Sequence, residues 1–275
     1  SCMGCTSCNF KYDWSMKKSL TIVKVGGNII DDDAKLKIFL SAFAAINGLK
    51  ILVHGGGKRA NEISEAMGLQ PKTIAGRRVT DEATLEVVTM VYAGLLNKKM
   101  TAQLQKLNCN ALGLSGADAN CIMAHKRIVA EVDYGFAGDV DAVNAEFIKL
   151  LLQNKVTPVF CAITHDKNGQ LLNTNADTIA SEIAIAMSDF YEVELNYVFE
   201  LKGVLENIAD KNSVIQHINL KKYEQLIDDG IISEGMIPKL HNCFNALKKG
   251  VQKVNIGDAS LLKNTNNLYT ELSIK

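Results

Sequence analysis

Short apolar runs that stop at glycine, each followed by a helical stretch, recur along this chain, and that alternation limits the fold more than any other feature. Residues 20–25 read as a buried strand broken by Gly26-Gly27-Asn28, with an amphipathic helix over 34–46. Residues 50–53 repeat the unit, ended by His54-Gly55-Gly56-Gly57 and followed by a helix over 59–67. Further strands are expected at 111–114, 157–163, 194–199 and 250–255. Further helices are expected at 80–96, 98–107, 144–153, 177–187, 220–229 and 238–249. A hairpin is expected within 121–132, with Asp133-Tyr134-Gly135 in a turn, and Asp166-Lys167-Asn168-Gly169 is a turn by composition. Strands alternating with helices imply an α/β fold, a three-layer αβα sandwich around a mostly parallel open sheet.

Composition narrows the class. Thirty basic residues balance thirty acidic ones, so no overall field favours nucleic acid or an anionic membrane. The apolar runs are too short to span a bilayer, and a cytoplasmic protein is expected. With only 3 prolines and no linker or repeat, residues 17–275 are expected to form a single domain, with lobes meeting near residue 172. Cys109, Cys121, Cys161 and Cys243 sit in apolar or mixed sequence and read as core residues. Cys2, Cys5 and Cys8 have metal-ligand spacing but no fourth ligand nearby. Residues 1–16 therefore read as a disordered leader, and no metal site is assigned.

Three places carry chemistry. Glycines at a strand-to-helix turn let backbone N–H groups approach an anion, so Gly26, Gly27, Gly55 and Gly56 are candidate phosphate or carboxylate donors. Tight turns are the ordinary alternative for either cluster alone. No Walker-type G-x-x-x-x-G-K-[ST] and no G-x-G-x-x-G is present. Lys24 interrupts the apolar run Thr21-Ile22-Val23-Lys24-Val25, and burying an ammonium group is costly without an anionic partner. An edge strand with Lys24 in water is the alternative. In Asn173-Thr174-Asn175-Ala176-Asp177, the i, i+2 amides share one side of an extended segment just before a helix, which Asp177 could cap. Lys239 follows Pro238 near the start of another helix, where its charge opposes the dipole unless an anion binds there.

Seven ordered segments together resemble the N-acetylglutamate kinases of the amino acid kinase superfamily. They are Val23-Lys24-Val25-Gly26-Gly27, Val53-His54-Gly55-Gly56-Gly57, Gly76-Arg77-Arg78-Val79-Thr80-Asp81, Gly113-Leu114-Ser115-Gly116, Val143-Asn144, Asn173-Thr174-Asn175-Ala176-Asp177 and Gly235-Met236-Ile237-Pro238-Lys239. The similarity runs from about Lys17 to Gly257. It implies the amino acid kinase fold, with an acyl-amino acid lobe at about 17–172 and an ATP lobe at about 173–275. It also implies ATP with Mg2+ as co-substrate, in arginine biosynthesis. By the same resemblance, Lys24 and Lys239 stabilise charge on the transferring phosphoryl group and Asp177 organises them. Gly26 and Gly27 serve the nucleotide; Gly55, Gly56, Arg78, Asn173 and Asn175 serve the acceptor. Glu200-Leu201-Lys202-Gly203-Val204 stands where the family carries Asp-Val-x-Gly-Val, so Glu200, Leu201 and Gly203 are expected at the nucleotide.

Asp118-Ala119-Asn120 replaces a usual Asp-Gly-Gly, and N-succinylglutamate stays beside N-acetylglutamate as an acceptor, with Arg77 or Lys58 as the extra cation. The rivals are another enzyme of the superfamily and a catalytically silent sensor that keeps the fold. The resemblance implies either an arginine-inhibited hexamer with a long N-terminal helix or an insensitive homodimer, and because residues 1–15 show no amphipathic period, the homodimer without arginine inhibition is expected.

Overall fold

Buried residues at both parities of the strand Lys18–Val25 require cover on both faces of the sheet that contains it: Leu20, Ile22 and Val23 are all at 0% exposure. The computed structural model describes residues 17–75, 77–232, 236–263 and 268–275. The expected leader with Cys2, Cys5 and Cys8 lies outside these residues. Among them, eight strands form the main sheet. Their order is His217–Ile218, Thr270–Leu272, Lys253–Gly257, Tyr191–Val198, Lys18–Val25, Leu49–His54, Thr157–Phe160 and Ala111–Leu114. Neighbours run parallel except Lys253–Gly257 against Thr270–Leu272.

Crossover handedness distributes the helices. From Lys18–Val25 the chain moves one way along the sheet, through Asp33–Ala44 and then Asn97–Lys106, to reach Ala111–Leu114. It then reverses, through Ala145–Gln153, Ala176–Met187 and Ile237–Lys248, to reach Lys253–Gly257 and, beyond it, Thr270–Leu272. Right-handed crossovers put these two helix sets on opposite faces. Asp33–Ala44 shows how the sequence specifies such a helix. The Asp32 side chain caps it by accepting from the Ala34 and Lys35 amides, and Leu36, Phe39, Leu40 and Phe43 bury one stripe at i, i+3, i+4, i+7. The direction of travel changes between Lys18–Val25 and Tyr191–Val198, and a crevice opens beyond their carboxyl ends.

Beside this crevice lie a smaller sheet and a hairpin. The sheet orders Leu171–Asn173, Ile163–His165, Ile122–Lys126 and Gly138–Val143, and the hairpin pairs Lys72–Ile74 with Arg77–Val79. Three expectations shift here. The strand Ile122–Lys126 pairs with Gly138–Val143, not with a partner inside 121–132. The run expected at 157–163 divides at Cys161-Ala162, where the chain leaves the main sheet for the smaller one. The last parallel strand starts at Lys253, because Gly250 (φ +104°) and the Val251 amide, bonded to Ala246, first close the preceding helix. Cys109, Cys121, Cys161 and Cys243 are buried free thiols. No helix among the described residues is long and apolar enough to cross a membrane.

His54, at the end of Leu49–His54, is wholly buried and bonded at both ring nitrogens. Nδ1 lies 2.7 Å from the Gly55 carbonyl, and Nε2 lies 3.0 Å from Asn97 Nδ2. The carbonyl can only accept and the amide nitrogen can only donate, so the ring is neutral with its proton on Nδ1. Burial pushes its pKa down to about 4, against a partial lift from the Gly55 carbonyl. Unfolded chains bind this proton near pH 6.5, so the contribution is intact above pH 6.5 and lost as pH falls to about 4. Urea denaturation at pH 7, 5.5 and 4.5 is expected to show stability falling by up to about 3 kcal/mol from this group, before most carboxylates titrate. A flat profile over that window contradicts a buried neutral His54.

Candidate active site

Lys24 lies on a central strand, hydrogen-bonded between Tyr191–Val198 and Leu49–His54, so the edge-strand alternative is excluded. Its ammonium group has an anionic partner. Lys24 Nζ is 2.8 Å from one Asp177 oxygen, and Lys239 Nζ is 2.6 Å from the other. One carboxylate from the first turn of Ala176–Met187 thus ties a strand lysine to a lysine at the start of Ile237–Lys248. The three side chains are only 13%, 18% and 17% exposed. Burial alone would raise the Asp177 carboxyl, but the Lys24 and Lys239 charges outweigh it and hold the group well below the usual carboxylate range. Burial also lowers Lys24, with Asp177 resisting the shift. Tyr197 completes the cluster: its hydroxyl donates to the Asp177 carbonyl at 3.0 Å, and Lys239 sits over its ring at 4.9 Å.

Asp177 is not the helix cap. Asn175 takes that place, accepting from the Thr178 amide at 3.1 Å, which leaves the Asp177 oxygens to the lysines. Two positive groups on one carboxylate leave a net charge of +1; Lys24 lies two residues before Gly26, and Gly55 packs against Ala176, next to Asp177. Gly26 caps the short helix Gly27–Ile30, whose first amides have no intrahelical acceptor. Gly57 needs its positive φ of +55° to turn the second loop, and a side chain there would strike the Asp31 carboxylate. Asp31 accepts from the Lys58 amide at 2.9 Å. That carboxylate therefore occupies the start of Arg59–Ala66, and the helix dipole expected to serve an anion there is already engaged.

The acceptor-side residues converge on a cavity of about 180 Å³ lined by Gly55, Arg77, Arg78, Tyr92, Arg127, Asn173, Thr174 and Asn175, among others. Asn173 Nδ2 donates to Thr80 Oγ1 at 3.1 Å, and the Arg78 Nη1 group is buried without a partner among the described residues. A buried guanidinium donor left open in a cavity is what an anionic ligand would satisfy. Gly56 is not among the lining residues, and neither is Lys58. On the other side of Lys24, Asn28 Nδ2 donates to Glu200 at 2.7 Å. Glu200 borders a separate cavity of about 330 Å³ with Ile29, Phe199, Asp258 and Ser260. Leu201 is half-buried outside it, and Gly203 is packed against Thr270 and Val214.

The sequence reading missed Asp31, Arg127 and Tyr92. Arg127 makes a two-point contact with Asp139, its Nε 3.1 Å from both oxygens, and lies over the Tyr134 ring. It sits outside any motif, and only folding brings it to the cavity.

The amino acid kinase family model matches residues 19–258, a span that contains Lys24, Asp177, Lys239, both glycine turns and the lining of the acceptor cavity. The chain belongs to the amino acid kinase family. It is 52% identical over 246 residues to the acetylglutamate kinase of Cytophaga hutchinsonii, covering 89% of this chain and 93% of that protein. It is 51% identical over 248 residues to the acetylglutamate kinase of Bacteroides thetaiotaomicron, covering 90% and 96%. The fold is also that of a carbamate kinase from Giardia lamblia solved with AMP-PNP, with a TM-score of 0.66 at 15% identity, covering 94% of this chain and 99% of that one. As kinases, members of this family use ATP.

The geometry of the lysine–aspartate cluster makes a direct stability prediction. Asp177→Asn leaves two shielded ammonium groups facing each other without their counter-charge, and is expected to cost about 3 kcal/mol. Chemical denaturation of the variant at pH 7 checks this. An unchanged midpoint would show that solvent screens the cluster.

Proposed function

We propose that this protein transfers the γ-phosphoryl group of ATP to the side-chain carboxylate of N-acetyl-L-glutamate, a step of arginine biosynthesis. The carrying observation is the Asp177 carboxylate held between Lys24 and Lys239 beside the glycine turns, with the Arg78 donor open in the adjoining cavity. Relatives named acetylglutamate kinase over about nine-tenths of the chain support the same reading. The acceptor carboxylate is ionised near neutral pH and needs no general base. Catalysis then consists of alignment and charge stabilisation.

In this reading Lys24 and Lys239 meet the charge on the transferring phosphoryl oxygens, and Asp177 sets their spacing. Gly27 donates its amide to the nucleotide and Gly55 and Gly56 theirs to the acceptor carboxylate, whereas the Gly26 amide is held by the Val198 carbonyl at 2.8 Å, so Gly26 serves the nucleotide by shaping the turn. Arg78 clamps the α-carboxylate, with Asn173 and Asn175 at the same cavity. Glu200, Leu201 and Gly203 belong to the nucleotide side, and the lobes divide near residue 172. Mg2+ would ride on the ATP phosphates and offset their charge. Both Asp177 oxygens face lysines, and no group of three or more His, Cys, Asp or Glu among the described residues could hold an ion.

The cytoplasmic location rests on ATP as co-substrate and on four buried free thiols, which suit a reducing compartment. A homodimer is part of the proposal. Ala111–Leu114 ends the main sheet, and Leu112, Met90 and Leu95 are 39%, 52% and 46% exposed in this part of the chain. Sedimentation is expected to give twice the 30.0 kDa chain mass; a monomer at micromolar concentration contradicts it.

An ATP-consumption assay with N-acetylglutamate, N-succinylglutamate and free glutamate tests the activity. Turnover is expected to be best with N-acetylglutamate, and none with any N-acylglutamate overturns the reading. Arg78→Lys keeps the charge but loses the planar fork. It is expected to raise KM for N-acetylglutamate about tenfold or more, with KM for ATP within about twofold.

A further inference from the structure

Tyr92 is the one aromatic side chain in the acceptor cavity, and no motif accounts for it. It sits in Thr89–Leu96, a π-helical segment continuing from Glu82–Val88, and such segments are rare and concentrate at functional sites. Its ring lies directly on Gly56. A Cβ there would fall 1.5 Å from Tyr92 Cε1, 2.1 Å from Cδ1 and 2.5 Å from Cζ, so the Cδ1–Cε1 edge of the ring lies on the glycine turn with the hydroxyl-bearing carbon next to it. Gly56 is thus glycine to admit this ring. Burial raises the Tyr92 phenol, and the nearby positive charge of Arg78 counters that rise.

A guanidinium offers only donors, so Arg78 cannot take the phenol proton. Among the described residues no carbonyl or carboxylate takes the Tyr92 hydroxyl proton. A donor polarised by a cation therefore remains open between Arg78 and the Gly55-Gly56 turn. On the reading above, an acceptor amino acid spans that interval, its α-carboxylate on Arg78 and its side-chain carboxylate at the turn. The remaining oxygen of an N-acylglutamate is its amide carbonyl.

We propose that the Tyr92 hydroxyl donates a hydrogen bond to the acyl carbonyl of the acceptor, making Tyr92 a substrate-binding residue that recognises the acylated amine. The inference rests on the proposed acylglutamate kinase activity, and the wild-type assay separates the two. A wild-type enzyme that turns over no N-acylglutamate defeats the activity itself. An active wild type with an unaffected Tyr92→Phe variant defeats only this inference.

Tyr92→Phe keeps the ring over Gly56 and removes only the hydroxyl. Loss of one neutral hydrogen bond in a closed site is expected to raise KM for N-acetylglutamate about tenfold, with kcat and KM for ATP within about twofold. An unchanged KM for N-acetylglutamate, or an equal rise in both KM values, overturns the assignment. Thermal unfolding shows whether the variant is intact. Should it fail to fold, 3-fluorotyrosine at position 92 carries the test, since its more acidic hydroxyl is the stronger donor. A lower KM for N-acetylglutamate then supports the assignment, and an unchanged or higher one overturns it.

Discussion

Three elements far apart in the chain meet because Asp177 faces two ammonium groups. Without that carboxylate, Lys24 would be a desolvated cation in a central parallel strand, and Lys239 a cation at the wrong end of a helix. With it, the first strand, the helix Ala176–Met187 and the helix Ile237–Lys248 are joined at one point beyond the carboxyl ends of the sheet. The glycine turns matter because they lie at that point. Their amides would add donors to a site already carrying net positive charge.

The surroundings keep that site dry and shaped. Tyr197 lies beneath Lys239 and bonds the Asp177 carbonyl, so the helix carrying the carboxylate is fixed to the sheet. His54 is neutral and bonded at both nitrogens, which ties the second glycine turn to Asn97 at the start of the helix Asn97–Lys106. Asp31 reaches from the first glycine turn to the Lys58 amide, coupling the two loops. Tyr197 and His54 stiffen the site without adding charge, and the Asp31 carboxylate is held at the Lys58 amide at the start of Arg59–Ala66.

Local chemistry was legible in the sequence. The apolar runs and the glycine punctuation located the strands, because a parallel strand must be apolar on both faces. Lys24 stood out because an ammonium group in such a strand demands a partner. Its partner was less legible: Asp177 looked like a cap, and only the geometry gives that task to Asn175. Long-range pairing was the weak point. The strand Gly138–Val143 carries Asp139 and Asp141 on a partly exposed sheet, so its pattern is too polar to read as a strand. Tyr92 and Arg127 left no local signal, since each reaches the cavity only through folding.

The central claim is that the two lysines, spaced by Asp177, serve the transferring phosphoryl group more than the resting nucleotide. Titration calorimetry of ADP with aluminium fluoride and N-acetylglutamate, against AMP-PNP alone, measures that difference in Lys24→Ala and Lys239→Ala. The account predicts that each variant loses at least about 100-fold in affinity for the transition-state mimic and only a few-fold for AMP-PNP. Equal losses for the two ligands would contradict it, because the lysines would then bind the nucleotide without favouring the transfer.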